Sequence, residues 1–292
     1  MRILEFTVPG EYDGVRLKGF LRGFCGISAR QFAGLKRLPG GVLRNGLPVI
    51  ATDVLQAQDR IRVAFRDDDK FQKPVRLAFE PIYEDEDVFV LAKPSGMPMY
   101  PTPGHDCDSL ANAVSYYWMK SGRRFSFRPV YRLDKDTTGL VVLAKNSYAA
   151  FRLAGKIKKL YLAVCDGVLP GGGKIDRPIG LMPGHTVQRA VTPEGAGAVT
   201  LWRCLAGDDA YSLLAVRIRT GRTHQIRVHF SDCGHPLAGD DMYGGSRRFI
   251  PRQALHCAQV RFRHPVSGRM LKFRCALPAD MGALAAAMKL NE

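Results

Sequence analysis

The chain has 292 residues, 46% of them hydrophobic, which is enough to bury a substantial core in more than one domain. It carries 43 Lys and Arg against 27 Asp and Glu, so its field attracts polyanions, and nucleic acid is the first candidate partner. A membrane surface is the competing interpretation, but no run approaches the ~18 apolar residues of a spanning helix. The first residues also lack the pattern of a secretion signal, so we expect a cytoplasmic protein.

Seven cysteines are scattered along the chain, and none is paired at the two-residue gap that zinc sites favour. Free cysteine is usually a small buried hydrophobe, so we interpret them as reduced thiols that pack in the core. His224, His229 and His235 lie close together, but no further ligand cluster accompanies them. Capping and packing roles explain these histidines, and the sequence predicts no metal site.

Residues 1–66 have the pattern of a small α/β domain. Apolar residues from Val15 to Phe24 recur at three- and four-residue steps, which predicts a short helix, and Ser28 can cap a second one. The pair Asn45-Gly46 suits a tight turn between two strands, and DRIRVAF alternates like a strand. This order resembles the small alpha-L type RNA-binding domain of a small-subunit ribosomal protein. Its eleven Lys or Arg and five Asp or Glu fit such a role, with an ordinary solvated surface as the alternative.

The charged run RDDDKFQKP has no apolar period, so we interpret residues 67–80 as a linker and residues 81–292 as a second domain. Strand-like runs such as VFVLA, LVVLA and YSLLAVRI alternate irregularly with helices there, without the regular spacing of a doubly wound sheet. We therefore expect an α+β fold with a mixed, largely antiparallel sheet and flanking helices.

The densest chemical signal is RPVYRLDKDTTGLVVLAKN, in which Asp134 follows an extended run and precedes a turn. A carboxylate on such a loop is accessible, although a turn or capping role is the common alternative and suits Asp136. The segment 132–139 resembles the most specific motif of the RluA-type pseudouridine synthases. VLAKPSGMPMYP, KKLYLAVCDG and TGRTHQIRVHFSDCGHPLAGDDMYGG are similar to further motifs of that family, in the expected order. Tyr131 departs from the pattern, because the family commonly has histidine there.

The resemblance implies an isomerase that breaks the bond between the ribose anomeric carbon and a uracil nitrogen, turns the base and rejoins it through a ring carbon, without cofactor or metal. Asp134 would be the catalytic carboxylate, either as nucleophile on the anomeric carbon or as base at the neighbouring ribose position, and both mechanisms stay open. Tyr161 would stack on the target base and help to move a proton. Arg222 would pair with ionised Asp134, with a surface phosphate contact as its alternative.

The RNA substrate must present its target uridine outside the base stack. By resemblance, Arg132 would fill the vacated place with its planar guanidinium, and a phosphate contact is the plain alternative. Lys93, before a proline turn, is a candidate RNA contact or an ordinary solvated lysine. In the N-terminal domain, the cations that could follow an RNA backbone are Arg30, Lys36, Arg37 and Arg44.

Two other functions fit parts of the sequence. A non-catalytic RNA-binding or ribosome-assembly factor would explain the basic charge, but Asp134, Tyr161 and Arg222 are all present. A hydrolase could use Asp134 at an anomeric centre, but no second acid is evident. The sequence leaves open whether ribosomal or transfer RNA is the substrate, which uridine is modified and how the N-terminal domain is oriented. A monomer is the working expectation for the assembly.

Overall fold

The computed structural model describes residues 1–66 and 71–287, so residues 67–70 of the interpreted linker lie outside the described residues. Two separate sheets organise the described chain, one of four strands and one of nine, and a two-stranded ribbon accompanies them. Together with the helices, this arrangement confirms the α+β class predicted from the sequence. Within the described residues, we find no helix with the length and apolar character needed to cross a bilayer.

The N-terminal unit, residues 1–66, contains β1 (Arg2–Thr7), α1 (Leu17–Gly23), α2 (Ala29–Lys36), β2 (Val42–Arg44), β3 (Leu47–Pro48) and β4 (Arg60–Phe65), and its strand order is β1-β4-β2-β3. Ser28 caps α2 through a reciprocal capping box with Gln31. Asn45 and Gly46 have φ of 50° and 86°, as the predicted tight turn requires. Strand β1 has no counterpart in the sequence-based prediction, because adjacent Ile3 and Leu4 break a strict alternation, yet it pairs along its length with β4.

The large unit, residues 71–287, contains the remaining elements. In chain order they are β5 (Glu80–Glu84), β6 (Val88–Lys93), α3 (Leu110–Lys120), β7 (Thr138–Ala144), α4 (Ser147–Leu153), β8 (Lys158–Asp166), β9 (Gly172–Asp176), β10 (Ile179–Leu181), β11 (Arg189–Val191), β12 (Val199–Gly207), β13 (Tyr211–Ile218), α5 (Gln225–Asp232), β14 (Leu255–Arg263), β15 (Met270–Arg274) and α6 (Ala279–Ala287). The sheet order is β5-β6-β7-β14-β8-β13-β12-β9, with β15 beside β14, and β10 pairs with β11. Each described ladder is antiparallel except the one between β7 and β14, so the mixed, largely antiparallel sheet is confirmed.

The parallel contact between β7 and β14 aligns distant parts of the chain. Gly139 of β7 lies opposite Cys257 of β14, which in turn lies opposite Tyr161 of β8. Gly139 has φ +110°, and a Cβ added there would come within 2.4 Å of the Cys257 carbonyl oxygen, so only glycine permits this approach. The sheet therefore brings the loop that precedes β7 to the same end as the first half of β8.

An interface of buried polar and aromatic contacts joins the two units. Arg2 donates two hydrogen bonds, of 2.8 and 2.9 Å, to the carboxylate of buried Asp87. Tyr148 belongs to α4 but packs within the N-terminal core, and its hydroxyl donates to the Cys25 carbonyl at 2.8 Å. The Gln31 side chain that completes the capping box of α2 also donates to the backbone of Ser147. The two units therefore share part of one hydrophobic core.

Tyr148→Ala should lower the free energy of unfolding by about 3–5 kcal/mol, because it removes a buried aromatic ring that both units contact. Phe151→Ala on the same helix is the matched control, since that ring is 49% exposed and its loss should cost within about 0.5 kcal/mol. Urea unfolding measures both variants. Equal stabilities would contradict the idea that Tyr148 holds the units together.

Candidate active site

A cleft of about 1000 Å³ lies where the loop before β7, the start of β8 and the segment between β13 and α5 meet. It brings together four residues that the sequence predicted for the site, which are Arg132, Asp134, Tyr161 and Arg222. Asp134 is the one carboxylate among the described residues that line the cleft, and its side chain is 20% exposed. The cleft therefore offers a single accessible acid in a mostly basic wall.

Several backbone contacts hold the loop that carries Asp134. The Thr137 amide donates to the Asp134 carbonyl at 3.1 Å, which closes a turn over the next two residues. The Asp136 carbonyl accepts from Arg252, whose guanidinium also forms two hydrogen bonds to Asp280 of α6. The preceding Leu133 is buried in the main core. The carboxylate thus projects from a loop that is fixed on both sides.

Lys93 is buried. The two interpretations from the sequence, an RNA contact and a solvated surface lysine, are therefore both wrong. Its side chain is 2% exposed, and Nζ donates to the carbonyls of Pro94, Met97 and Lys135 at 2.7–2.9 Å. Burial lowers the pKa of Lys93 to about 7, although the charges of Asp136 and Asp134 raise it. Three backbone carbonyls surround Nζ, so Lys93 braces the Asp134 loop from inside.

The cation beside Asp134 is Arg227, so the predicted pairing with Arg222 is wrong. Arg227 Nη1 lies 3.4 Å from Asp134 Oδ2, while Nε and Nη2 donate to both oxygens of Asp240 at 2.7 and 2.8 Å. Arg222 is exposed, and its Nε donates to the Gly197 carbonyl instead. Helix α5 explains the difference, because Arg227 lies on its buried side and Arg222 precedes its first turn.

Burial alone would lower the pKa of Arg227, but its hydrogen bond to Asp240 and the charges of Asp240 and Asp134 raise it above the ordinary value. The guanidinium therefore stays charged at every physiological pH. Sequence reasoning missed this residue, although a charged position between apolar Ile226 and Val228 on one short helix is a signal for a paired buried cation.

Tyr161 lines the cleft and is 4% exposed. Burial raises the pKa of its phenol well above 10, and the neighbouring Cys257 and Asp134 raise it further. The phenol is therefore protonated and can donate a proton, but it cannot act as a base near neutral pH. Tyr131 also lines the cleft, and its hydroxyl donates to the Leu140 carbonyl at 2.7 Å, which anchors the ring beside the Asp134 loop.

Exposed cations form most of the cleft rim. They are Arg132, Lys156, Lys158, Arg217, Arg219, Arg222 and Arg261. They come from four separate stretches of the chain, and the sheet register places Lys158 of β8 directly opposite Arg261 of β14. Such a cluster of uncompensated positive charge favours a polyanion that runs across the cleft mouth.

The N-terminal cations divide into two groups. Arg30, Lys36 and Arg37 are exposed, and Lys36 lines a groove of about 460 Å³ with Arg16, Lys18 and Arg22 on α1 and the segment before it. Arg44 is different, because its Nε lies 2.7 Å from buried Asp59 and Nη1 donates to the Val54 carbonyl. The predicted phosphate contact of Arg44 is therefore replaced by a structural ion pair, since a buried carboxylate needs a partner.

The three histidines near α5 do not converge on a common point. His229 hydrogen-bonds Thr200 and the Arg177 carbonyl, whereas His235 contacts the Asp166 carbonyl. Elsewhere among the described residues, Asp85, Asp87 and His264 place ligand atoms within 4.8 Å of one another. Both carboxylates there already accept hydrogen bonds, from Tyr83 and Arg2 among others, so this cluster acts as an ion-pair network at the interface of the two units.

Comparison with known proteins identifies the family. Residues 87–232 match the family of RNA pseudouridylate synthases. An uncharacterized RNA pseudouridine synthase of Bacillus subtilis, YjbO, is 37% identical over 273 residues, which cover 90% of this chain and 95% of that protein. The chain belongs to the RNA pseudouridine synthase family. It is therefore an isomerase that acts on RNA, as the sequence motifs predicted.

Other relatives agree. A protein named ribosomal large subunit pseudouridine synthase D from Vibrio parahaemolyticus is 34% identical, and the match covers 98% of this chain and 95% of that one. Among solved structures, human RNA pseudouridylate synthase domain containing 4 has a TM-score of 0.60 at 23% identity and covers 73% of this chain and 94% of that chain. This likeness supports the fold alone.

Replacing Arg227 and Arg222 separately by glutamine distinguishes their roles. Arg227→Gln should lower the free energy of unfolding by about 3–5 kcal/mol and strongly reduce turnover, because it leaves buried Asp240 without a counter-charge and Asp134 without its nearest cation. Arg222→Gln should change stability by less than about 0.5 kcal/mol, because its side chain is exposed. Urea unfolding and single-turnover assays test both. An inactive Arg222→Gln enzyme, together with an active and stable Arg227→Gln enzyme, would instead support the predicted pairing of Arg222 with Asp134.

Proposed function

We propose that this pseudouridine synthase isomerises specific uridines in ribosomal large-subunit RNA and that Asp134 is its catalytic carboxylate. The observation that carries the proposal is the single carboxylate of a cation-lined cleft, lying 3.4 Å from a buried guanidinium. Arg227 provides a permanent positive charge beside the carboxylate on which the proposed chemistry depends. The names of relatives that modify the large ribosomal subunit support the substrate class.

Asp134 would act at the ribose of a flipped uridine. As a nucleophile, one carboxylate oxygen bonds to the anomeric carbon while the bond to the uracil nitrogen breaks, and the electron pair leaves with the base. As a base, it removes a proton from the neighbouring ribose carbon to expel the same group. The uracil then turns, and its ring carbon bonds to the anomeric carbon. In the first route this new bond displaces the Asp134 oxygen with its electron pair, and in the second route Asp134 returns its proton to the neighbouring ribose carbon. In both routes the uracil ring carbon finally loses its proton, and the uracil nitrogen that left the ribose gains one.

The cleft wall supplies the remaining groups. Tyr161 would lie against the uracil ring, and its protonated phenol fits a stacking surface or a hydrogen-bond donor rather than a base. Arg132, exposed two residues before Asp134, would stack in the gap that the flipped base leaves. Arg222 and the other rim cations would bind phosphates, which fixes the RNA register without reading sequence.

The decisive experiment maps pseudouridine in total ribosomal and transfer RNA from cells with and without the protein. Loss of one or a few large-subunit sites, restored by the wild type but not by Asp134→Asn, is the expected result, with RNA affinity of the variant largely unchanged. Asp176→Asn, an exposed carboxylate paired with Lys174 outside the cleft, is the matched control and should restore the sites.

Three outcomes would contradict parts of the proposal. Restoration by Asp134→Asn would remove the catalytic role of that carboxylate. Loss of transfer RNA sites alone would change the substrate. Release of free uracil from RNA in place of a retained, rearranged base would indicate a hydrolase.

We further propose that the N-terminal unit, residues 1–66, is an RNA-binding domain joined by the linker 67–80 to the catalytic domain 81–292. Its groove presents Arg16, Lys18, Arg22 and Lys36 around an apolar floor that includes Phe32. Four cations without a carboxylate among the described lining residues suit a phosphate backbone. The interface through Arg2 and Tyr148 would hold this surface at a fixed place relative to the cleft.

Reversing two groove charges, Lys18→Glu with Arg22→Glu, should raise KM for the RNA and leave kcat unchanged, because phosphate contacts contribute affinity rather than chemistry. The slope of log affinity against log salt should fall by about 0.7–0.9 for each lost phosphate contact. Arg123→Glu with Arg203→Glu reverses two exposed cations outside both the cleft and the groove, so it controls for net charge. An identical KM for all three proteins would remove the RNA-binding role of the groove.

A further inference from the structure

Tyr243 contacts Arg227 and His224, the two side chains that flank Asp134. It ends a short 3-10 turn, is 8% exposed, and lies near the end of the motif that begins at Thr220, where the sequence assigned it no role. The Arg227 guanidinium carbon lies 4.9 Å from the centre of its ring, a favourable cation–π distance. Its hydroxyl lies 2.8 Å from Nδ1 of His224, whose Nε2 is in turn 4.0 Å from Asp134 Oδ1.

His224 has an unusual backbone for its residue type. Its φ is +56°, in the left-handed region, where a side chain costs energy that glycine would avoid. It occupies the N-cap position of α5, but its side chain makes no capping hydrogen bond. The Gln225 side chain instead accepts from the Arg222 amide and the Thr220 hydroxyl. The His224 imidazole therefore does not cap the helix. Its Nε2 is directed toward Asp134.

The hydrogen bonds select one arrangement of protons. The Arg189 amide donates to the Tyr243 oxygen at 3.0 Å, which occupies one of its acceptor sites. Burial raises the pKa of Tyr243, so the phenol keeps its proton, and burial lowers the pKa of His224, so the imidazole is neutral. A neutral imidazole that faces a carboxylate is favoured with its proton on the facing nitrogen. Nε2 then carries the proton, and Nδ1 accepts the proton of Tyr243.

The other charged groups around His224 are consistent with this arrangement. Asp134 and Asp240 favour its protonated form, whereas Arg227 and Arg189 disfavour it. The separation of 4.0 Å between Nε2 and Asp134 is too long for a hydrogen bond in the free enzyme. Hydrogen bonds of catalytic groups commonly tighten when substrate binds, and the cleft here is open.

We propose that Tyr243 is a positioning residue for Asp134, since its hydroxyl holds His224 with Nε2–H aimed at the carboxylate and its ring supports Arg227. This inference rests on the proposed catalytic role of Asp134. Tyr243 touches neither the carboxylate nor the space for the reacting atoms. It acts through two partners that approach the two carboxylate oxygens from different sides.

Tyr243→Phe is the first test, because it removes the hydroxyl and keeps the ring. We expect kcat to fall about tenfold with KM unchanged, since one positioning hydrogen bond is lost. The cations of the cleft rim are unchanged in this variant, so a fall in kcat at constant KM distinguishes a positioning role from a loss of RNA binding. Tyr243→Leu also removes the ring beneath Arg227, so its kcat should be lower still.

Tyr83→Phe is the matched control for a lost tyrosine hydroxyl. Its hydroxyl donates to Asp85 at 2.6 Å at the far edge of the sheet, outside the cleft. This variant should keep the wild-type kcat and KM even if its melting temperature falls. A Tyr243→Phe enzyme that matches Tyr83→Phe in both properties would overturn the proposal.

A double-mutant cycle tests the route through His224. Glycine accepts the left-handed backbone, so His224→Gly removes the imidazole without adding strain. In that background, Tyr243→Phe should change kcat by less than about twofold, because the hydroxyl no longer has an imidazole to hold. Effects that simply multiply would overturn the route through His224.

Asp134→Asn separates this inference from the proposed function. If Asp134→Asn turns over like the wild type, the proposed function fails and the positioning role falls with it. If Asp134→Asn is inactive while Tyr243→Phe has normal kcat, the positioning role alone is wrong.

Discussion

Arg227 is a buried cation that lies between the carboxylates of Asp240 and Asp134. The arrangement of the cleft depends on its unequal contacts with them, which are short to Asp240 and longer to Asp134. Asp240 is 1% exposed, and both of its oxygens accept hydrogen bonds from Arg227. This bidentate ion pair offsets the desolvation cost of the guanidinium. The remaining guanidinium nitrogen, Nη1, lies 3.4 Å from Asp134, a longer contact than either hydrogen bond to Asp240. Under the proposed mechanism this difference matters, because a tight bidentate partner on Asp134 would occupy the lone pairs that the ribose requires.

The sheet supplies the geometry for that charge arrangement. Asp134, Tyr161 and Arg227 come from three separate segments, and the short parallel contact of β7 with β14 aligns the first two. Gly139 permits that contact, and Lys93 and Arg252 fix the carbonyls of the same loop from the interior. Buried cations thus act here on backbone oxygens, and they set the position of the carboxylate before any substrate arrives.

The exposed and the buried charges lie in different parts of the molecule. Exposed cations on the cleft rim and in the N-terminal groove offer charge that salt can screen, whereas the groups around Asp134 are buried and act at short range. The contact of the two units through Asp87 and Tyr148 links these regions. An RNA held at both surfaces would present its nucleotides to the cleft at a defined register.

The sequence by itself determined the family, the position of Asp134 and the local structure that short-range rules govern. The capping box at Ser28 and the turn at Asn45-Gly46 depend only on neighbouring residues, so their patterns were sufficient. The catalytic role of Asp134 stays a prediction, because its support from the sequence is a motif.

Only the tertiary structure decided which cations are buried and with what they pair. Arg222 and Arg227 lie five residues apart in one motif, and the turn through left-handed His224 sends one outward and the other inward. Lys93 and Arg44 look like surface cations in the sequence, yet each compensates buried oxygens supplied by distant residues. Charge pairing requires desolvation and proximity in space, and neither is encoded in the spacing of residues along the chain.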